Sequence, residues 1–323
     1  MAETNNQVVN EEEKKTGGGG GNKNALAYGL LQGAGINTEG MSPSEAWARV
    51  DALHLMERNQ RKKTDEEEKD YKDKNENAKK QGKTKKTAIE NAGKISEHVA
   101  LHSDNVAGVN TAIDAATEIM NEYDLNKLKR ISTVNHIGKG IYSALASANG
   151  GELNIGHSLL RNPGAFYRSA VENYKKEQKT EIDRLTKEFN SAKSPKAKEK
   201  LGNLLKNKKD NLGYTRSNVV YKGEEVKSTI YHEMGHIIAD QLCGQINGRI
   251  FLKKNISQNE AKQKIQLIEQ TYIDCVGNND IYKISEYAGT NEHEFFAECF
   301  AIYKMGKEKL PDNIEKMIKG VLK

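Results

Sequence analysis

The chain contains 323 residues, a length that allows about two domains of roughly 150 residues each. Only 36% of the residues are hydrophobic, and no apolar run approaches the roughly 18 residues of a membrane-spanning helix, which excludes an integral membrane protein. The 50 basic and 45 acidic residues nearly balance, so the net charge of +5 gives little support to a nucleic-acid partner, and none is expected.

The N-terminal part divides into three segments of different composition. Residues 1–24 contain consecutive glycines and are predicted to be a disordered tail. Residues 25–60 are predicted to form a small helical hairpin, because a Ser-Pro-Ser-Glu run beginning at Ser42 has the pattern of a helix N-terminus. Residues 61–86 carry almost only charged and amide side chains, which is typical of a charged linker or a solvated helix.

The first residues and the cysteines bear on the cellular compartment. Residues 1–15 lack the apolar stretch of a signal peptide, so no cleavable secretory signal is expected. The chain has three cysteines, Cys243, Cys275 and Cys299, and no two of them form a CxxC pair. An odd number of unpaired cysteines favours reduced core residues over a disulfide framework. These features favour a cytoplasmic location.

Residues 87–323 are predicted to form the main domain. Apolar spacing predicts that 87–124 is mostly helix and that 165–209 is a helical segment broken at Ser194-Pro195. Apolar and β-branched runs predict short strands at Leu128–Val134, 141–145, 152–155 and 218–221. Further helices are predicted at about 224–242, at 258–275 and from about Asn291 onwards. We therefore expect an α+β fold that is mostly helical.

One motif, His232-Glu233-Met234-Gly235-His236, has the spacing of a metal site. Residues four apart lie on the same face of a helix, so both imidazoles can point at one metal ion. A catalytic zinc takes three protein ligands and leaves its fourth position to a water, whose proton Glu233 could accept. Glycine inside this helix costs about 1 kcal/mol relative to alanine, which indicates that another segment approaches closely. The motif predicts one zinc per chain and a third ligand elsewhere.

A candidate third ligand lies in the run 285–300, SEYAGTNEHEFFAECF. Glu294 and Glu298 are four residues apart and share one face of the predicted helix with small residues. Burying two carboxylates is costly without partners, and a metal ion with its histidines would satisfy both. We predict Glu294 as the ligand and Glu298 as a hydrogen-bond partner of a ligand histidine, with Glu298 or His293 as alternative ligands.

The two motifs together, in this order and spacing, resemble the catalytic domain of anthrax toxin lethal factor and its relatives. These are zinc peptidases of the gluzincin type with a zincin-like fold, and similar domains occur in phage minor head proteins. The resemblance covers roughly residues 220–305. It implies the following roles: His232, His236 and Glu294 as zinc ligands, Glu233 as general base, Tyr287 as hydrogen-bond donor to the oxyanion, and Glu298 as the partner of a ligand histidine.

This chain departs from the resemblance in two places. The step from His236 to Glu294 is long, so an insertion or an extra helix is expected between them. The charged segment 165–209 precedes the metal-site helix, so the substrate groove cannot be carried over. Tyr287 could also be a packing residue, and the scattered histidines are interpreted as structural: His98, His102, His136 and His157.

The sequence therefore predicts a zinc-dependent endopeptidase whose main domain, 87–323, is zincin-like and acts on a protein or peptide substrate. By analogy with zincins, the substrate would add as a strand along a sheet edge, for which 152–155 is the candidate. The alternative is a virion-associated phage minor head protein whose domain is inactive or acts only in assembly or host entry. Its partners would be phage capsid or portal proteins.

Overall fold

The computed structural model describes residues 65–135, 145–149, 151–244, 252–253 and 255–323. The predicted tail and small helical hairpin, and residues 141–144 of a predicted strand, lie outside this part. The helices are α1 (Asp65–Lys80), α2 (Lys85–Ile95), α3 (Val106–Glu122), α4 (His157–Arg161), α5 (Pro163–Tyr167), α6 (Tyr174–Ser191), α7 (Pro195–Asp210), α8 (Glu225–Ile238), α9 (Gln258–Gly277), α10 (Glu292–Met305) and α11 (Asp312–Leu322). The strands are β1 (Ser96–Ala100), β2 (Leu128–Val134), β3 (Ala146–Asn149) and β4 (Glu152–Gly156).

The four strands form one mixed sheet in the order β1-β2-β4-β3. β1, β2 and β4 are parallel, and β3 runs antiparallel to β4. The turn between β3 and β4 includes Gly151, whose φ of +83° suits glycine. Described residues are thus mostly helical with a small mixed sheet, which confirms the α+β prediction.

The prediction that 152–155 forms a sheet edge is wrong. β4 pairs with β2 on one side and with β3 on the other, so it lies inside the sheet. Among the described residues β3 pairs with β4 only, which makes β3 an edge strand. The error arises because apolar runs identify a strand but not its neighbours, which depend on the turn at Gly151.

One further local prediction is wrong, and another is incomplete. The predicted strand at 218–221 is absent: these residues join no ladder, and the Val219 N–H donates to the buried carboxylate of Glu298. The stretch 87–124 is mostly helix, as predicted, but it also contains the unpredicted strand β1 between α2 and α3. Ser96 ends α2 in an extended conformation, and the five residues that follow the helix carry no clear alternation of apolar side chains.

Most other predicted elements agree with the structure, although β3 was not predicted and Leu145, the last residue of the strand predicted at 141–145, is a bend just before it. β2 has the predicted bounds, and the 165–209 segment forms α6 and α7, which meet at Ser194-Pro195 with the proline in the first turn of α7. The helix α9 is the expected extra helix between the two site motifs.

α8 lies at the centre of the fold. It packs against α3, α10 and β3, and nearly every side chain from Val226 to Ile238 is buried. A π-helical turn, Ala239–Cys243, extends it. None of the described helices combines the length and the apolar composition needed to span a membrane.

Candidate metal centre

Two histidines on α8 form one half of the centre. His232 and His236 are one helical turn apart, and their Nε2 atoms are 3.2 Å from each other. The helix holds them there because Ile230, Met234 and Ile237 are fully buried on its remaining surface. His232 is almost completely buried, whereas His236 keeps a small exposed fraction.

Glu294 on α10 completes the group. Asn291 caps this helix, and its Oδ1 accepts hydrogen bonds from the N–H groups of His293 and Glu294 at 2.9 and 3.0 Å. The cap therefore starts α10 at Glu292 and fixes Glu294 in the first turn of the helix. Glu294 Oε2 lies 3.3 Å from His232 Nε2 and 3.2 Å from His236 Nε2.

The three atoms form a nearly equilateral triangle that suits a small metal ion. A tetrahedral centre with bonds of about 2.0–2.1 Å separates its ligand atoms by about 3.3 Å, and the observed sides are 3.2–3.3 Å. Glu294 Oε2 is buried and makes no well-directed hydrogen bond. Among the described residues, one group of three or more histidine, cysteine, aspartate or glutamate side chains could hold a metal ion, and it consists of His232, His236 and Glu294.

The electrostatics of the triangle are coupled. Burial raises the pKa of Glu294, but the two imidazoles beside it more than offset this effect and lower it. Burial lowers the pKa of His232, but the carboxylates of Glu294 and Glu298 outweigh burial and raise it well above its ordinary value. The group thus places negative charge where a cation would be stabilised.

Gly235 explains how the two helices come close enough. A Cβ at this position would lie 2.9 Å from the Cα of Ala297 and 3.3 Å from its Cβ. α8 and α10 therefore meet backbone to backbone, one residue from His236 and three from Glu294. The close approach expected from a glycine in the motif is present.

Glu298 orients His232 from the other side of its ring. Its Oε1 lies 2.8 Å from His232 Nδ1, and its Oε2 accepts hydrogen bonds from the Val219 N–H and the Ser285 hydroxyl, both at 2.6 Å. Glu298 is only 1% exposed. Because Nδ1 faces a carboxylate, the neutral imidazole would keep its proton on Nδ1 and offer the Nε2 lone pair to a metal. Glu298 itself faces away from the triangle, which disfavours it as the third ligand.

Glu233 is buried beside the triangle but does not belong to it. The backbone N–H of Ala148, in the edge strand β3, hydrogen-bonds its carboxylate. Burial raises its pKa, although the neighbouring His232 and His236 act in the opposite direction. The carboxylate is thus held between the histidine helix and the sheet edge.

Tyr287 lies over the same centre. Its ring centroid is 5.8 Å from that of His232, and its backbone N–H donates to the Ser217 carbonyl at 2.8 Å. Burial and the Glu294 carboxylate beside its hydroxyl raise its pKa. The side chain is nevertheless 39% exposed, so one part of it faces solvent.

A cleft of about 880 Å³ opens beside His232, Glu233 and Tyr287. Its other walls come from the end of β3, from α4 and α5, and from α6 and α7: these include Ala146, Arg161, Phe166, Tyr174 and Gln178. The sequence did not point to these residues, since they come from segments far apart in the chain. Ser285 and Val219 were missed for the same reason, although Ser285 belongs to the second motif.

Of the histidines that the structure describes, only His232 and His236 belong to the centre. His293 pairs weakly with Glu292 at 3.5 Å, and burial lowers its pKa. His98, His102 and His157 belong to no group of three candidate ligands, and His136 lies outside the described residues.

No known protein family, curated protein or solved structure matches the chain. The capacity to bind a metal is therefore argued from the geometry of His232, His236 and Glu294. The identity of the ion and the chemistry at the centre follow only as proposals.

Proposed function

We propose that the chain is a zinc-dependent endopeptidase with a zincin-like domain of the lethal factor type. The observation that carries the proposal is the triangle of His232, His236 and Glu294, with the buried carboxylate of Glu233 next to it at the base of a cleft. Two imidazoles and one carboxylate are a donor set that zinc uses in hydrolytic enzymes. When bound, a zinc ion would lower the pKa of a coordinated water to about 7 and polarise a carbonyl.

Glu233 would act as the general base. Its carboxylate is fixed by the Ala148 N–H on one side, so its other lone pairs are available to accept a proton from a water molecule. Its place in the α8 motif, between the two histidines, puts it within one residue of a metal ligand. Burial keeps competing bulk water away from it.

Tyr287 would donate a hydrogen bond to the negative charge that develops on the substrate carbonyl oxygen. Its hydroxyl lies beside Glu294, and its exposed part faces the cleft that would hold the substrate. Its raised pKa keeps the hydroxyl protonated at neutral pH, as a donor requires.

A peptide substrate would bind along β3 in place of the edge first expected at 152–155. β3 carries Ala148, which contacts Glu233, and its first residue, Ala146, lines the cleft. Among the described residues, no strand pairs with the side of β3 that faces away from β4. An extended peptide paired there, with the Ala148 N–H left to Glu233, would lie beside the metal ligands.

The test is the variant Glu233→Gln compared with wild type and with Glu90→Gln, which removes a charge from an exposed position on α2. We expect about one zinc per chain in all three proteins, and peptide hydrolysis in wild type and Glu90→Gln only. Metal content is measured by mass spectrometry and hydrolysis with a mixed peptide library.

Failure to bind zinc, even after zinc is supplied, would refute the proposed function. Zinc binding without hydrolysis of any peptide would instead favour the virion-associated alternative, in which the domain is an inactive scaffold. Equal hydrolysis by Glu233→Gln would refute the role of Glu233 alone.

A further inference from the structure

Glu286, the residue before Tyr287, receives hydrogen bonds from three side chains. Its Oε2 accepts from the Tyr174 hydroxyl and from Gln178 Nε2, each at 2.8 Å. Its Oε1 accepts from Asn211 Nδ2 at 2.7 Å. Lys208 Nζ lies 3.6 Å from the same carboxylate oxygen. We call Glu286 and these four residues the Glu286 cluster.

All four partners belong to the α6–α7 hairpin or to the residue that follows it. Tyr174 begins α6, Gln178 lies one turn later, Lys208 is in the last turn of α7, and Asn211 caps its C-terminus. Tyr174 and Gln178 are buried, so loss of the carboxylate would leave two buried donors without partners. Hydrogen bonds to a charged acceptor are stronger than neutral ones, so one carboxylate holds both helices of the hairpin.

The backbone on the other side of the cluster is held independently. The N–H of Glu286 donates to the Arg216 carbonyl at 3.0 Å, and the N–H of Tyr287 donates to the Ser217 carbonyl at 2.8 Å. Removing the Glu286 carboxylate should therefore leave Tyr287 in place. The segment that the carboxylate positions is the hairpin.

The hairpin forms one wall of the cleft. The cleft is lined by α8 residues and by Glu286, and from the hairpin by Tyr174, Glu177, Gln178 and Lys208. A substrate in the cleft would therefore contact a wall whose position depends on the Glu286 cluster.

We propose that Glu286 is a positioning residue that fixes the α6–α7 hairpin as the substrate-binding wall of the cleft. The claim that the hairpin binds substrate rests on the proposed function. The claim that Glu286 holds the hairpin in place can be tested without measuring peptide hydrolysis. Glu286 acts on substrate binding through the hairpin and leaves the metal centre and Tyr287 unchanged.

The test compares wild type, Glu286→Ala and the control Glu199→Gln, which removes an exposed carboxylate from the same hairpin. In Glu286→Ala we expect amide hydrogen exchange in α6 to accelerate about tenfold or more, because at least one charge-assisted hydrogen bond is lost. For peptide hydrolysis we expect KM to rise about tenfold with kcat changed less than threefold. Zinc content should stay at about one per chain, and Glu199→Gln should match wild type in every measurement.

A charge-swapped pair provides the rescue. Glu286→Gln keeps a carbonyl oxygen that can accept from Tyr174 and Gln178 but removes the negative charge from this contact, whereas Glu286→Gln with Gln178→Glu returns a carboxylate to the contact, opposite the new amide donor. We expect the double variant to recover a slower exchange of α6 and a lower KM than Glu286→Gln alone. Should Glu286→Ala fail to fold, Asn211→Ala removes one donor only and should shift exchange and KM in the same direction by a smaller factor.

Unchanged exchange in α6 of Glu286→Ala would overturn the proposal. A fall in kcat at constant KM would also overturn it, because the residue would then act on Tyr287 or on the chemistry. If wild type binds zinc but hydrolyses no peptide, the proposed function fails and the substrate part fails with it, while the exchange measurement still decides whether Glu286 fixes the hairpin.

Discussion

The contact between Gly235 and Ala297 makes a strong prediction about the substitution Gly235→Ala. The added Cβ would lie 2.9 Å from the Cα of Ala297, closer than carbon atoms approach without bonding. Because the obstacle is backbone, relief requires that α8 and α10 move apart by about half an ångström or more. Such a movement would lengthen the distances from Glu294 to both histidines, which are now 3.2–3.3 Å.

Two opposing effects determine the change in stability. Alanine favours a helix over glycine by about 1 kcal/mol, whereas overpacking costs about 1–3 kcal/mol. We therefore expect Gly235→Ala to lower the free energy of unfolding of the metal-free protein by up to about 2 kcal/mol. The affinity for zinc should fall by about tenfold or more, since the three ligands no longer share one distance from a central ion.

The matched control is Gly93→Ala. Gly93 lies in α2, is exposed, and has no atom within 4 Å of its hypothetical Cβ. Gly93→Ala should therefore raise the free energy of unfolding by up to about 1 kcal/mol without changing the affinity for zinc. Urea denaturation measures the free energy of unfolding, and competition with a chelator measures the affinity. If Gly235→Ala is as stable as Gly93→Ala and binds zinc as wild type does, the helix contact does not set the geometry of the centre.

Two further predictions test the surroundings of the centre and the hairpin. Glu298→Gln should weaken zinc binding about 10- to 100-fold, because His232 Nδ1 loses its charged partner. Competition with a chelator measures the affinity, and an unchanged affinity would contradict the role of Glu298 in orienting His232. Arg184 bridges Glu181 and Glu188 at 2.6 Å each, and its hydrogen bond to Glu181 lowers the pKa of that carboxyl. This carboxyl therefore stabilises the fold above its ordinary pKa of 4.5, and the stabilisation is lost as the pH falls through the lowered value. Arg184→Met should lower the free energy of unfolding by about 1 kcal/mol at pH 7 and by less below pH 4.5. Urea denaturation on each side of pH 4.5 measures this difference, and an equal loss of stability at both pH values would refute the electrostatic explanation.

The site residues could be predicted from the sequence because their relations are local. The spacing of His232 and His236 and that of Glu294 and Glu298 each describe one helix face, and a helix fixes such spacing without help from the rest of the fold. The glycine in the first motif also indicated a close neighbour, although only the structure identifies Ala297. The predicted break in the 165–209 segment likewise depended on one local feature, a proline.

What could not be predicted depends on contacts between distant segments. The position of β4 inside the sheet follows from how β3 folds back on it, which no strand pattern encodes. The residues around Val219 resemble a strand in their side chains, but the Val219 N–H donates to Glu298 and not to a strand. The three donors to Glu286 come from positions 75 to 112 residues away in the chain, so no local pattern links them to the second motif.

The balance of charge connects the separate contacts at the centre. Glu233, Glu294 and Glu298 are three carboxylates packed around two imidazoles, and each needs compensation because burial penalises its charge. Glu298 has three donors around it and Glu233 has a backbone N–H, whereas Glu294 Oε2 has only the two imidazole nitrogens. A divalent cation in contact with both Nε2 atoms and with Glu294 would offset two of the three negative charges at the place where neutralisation is least complete. Glu294 Oε2, the carboxylate oxygen that lacks other donors, is thus the atom that the triangle offers to a metal. In the proposed mechanism, Glu298 is left to orient His232 and Glu233 to accept a proton.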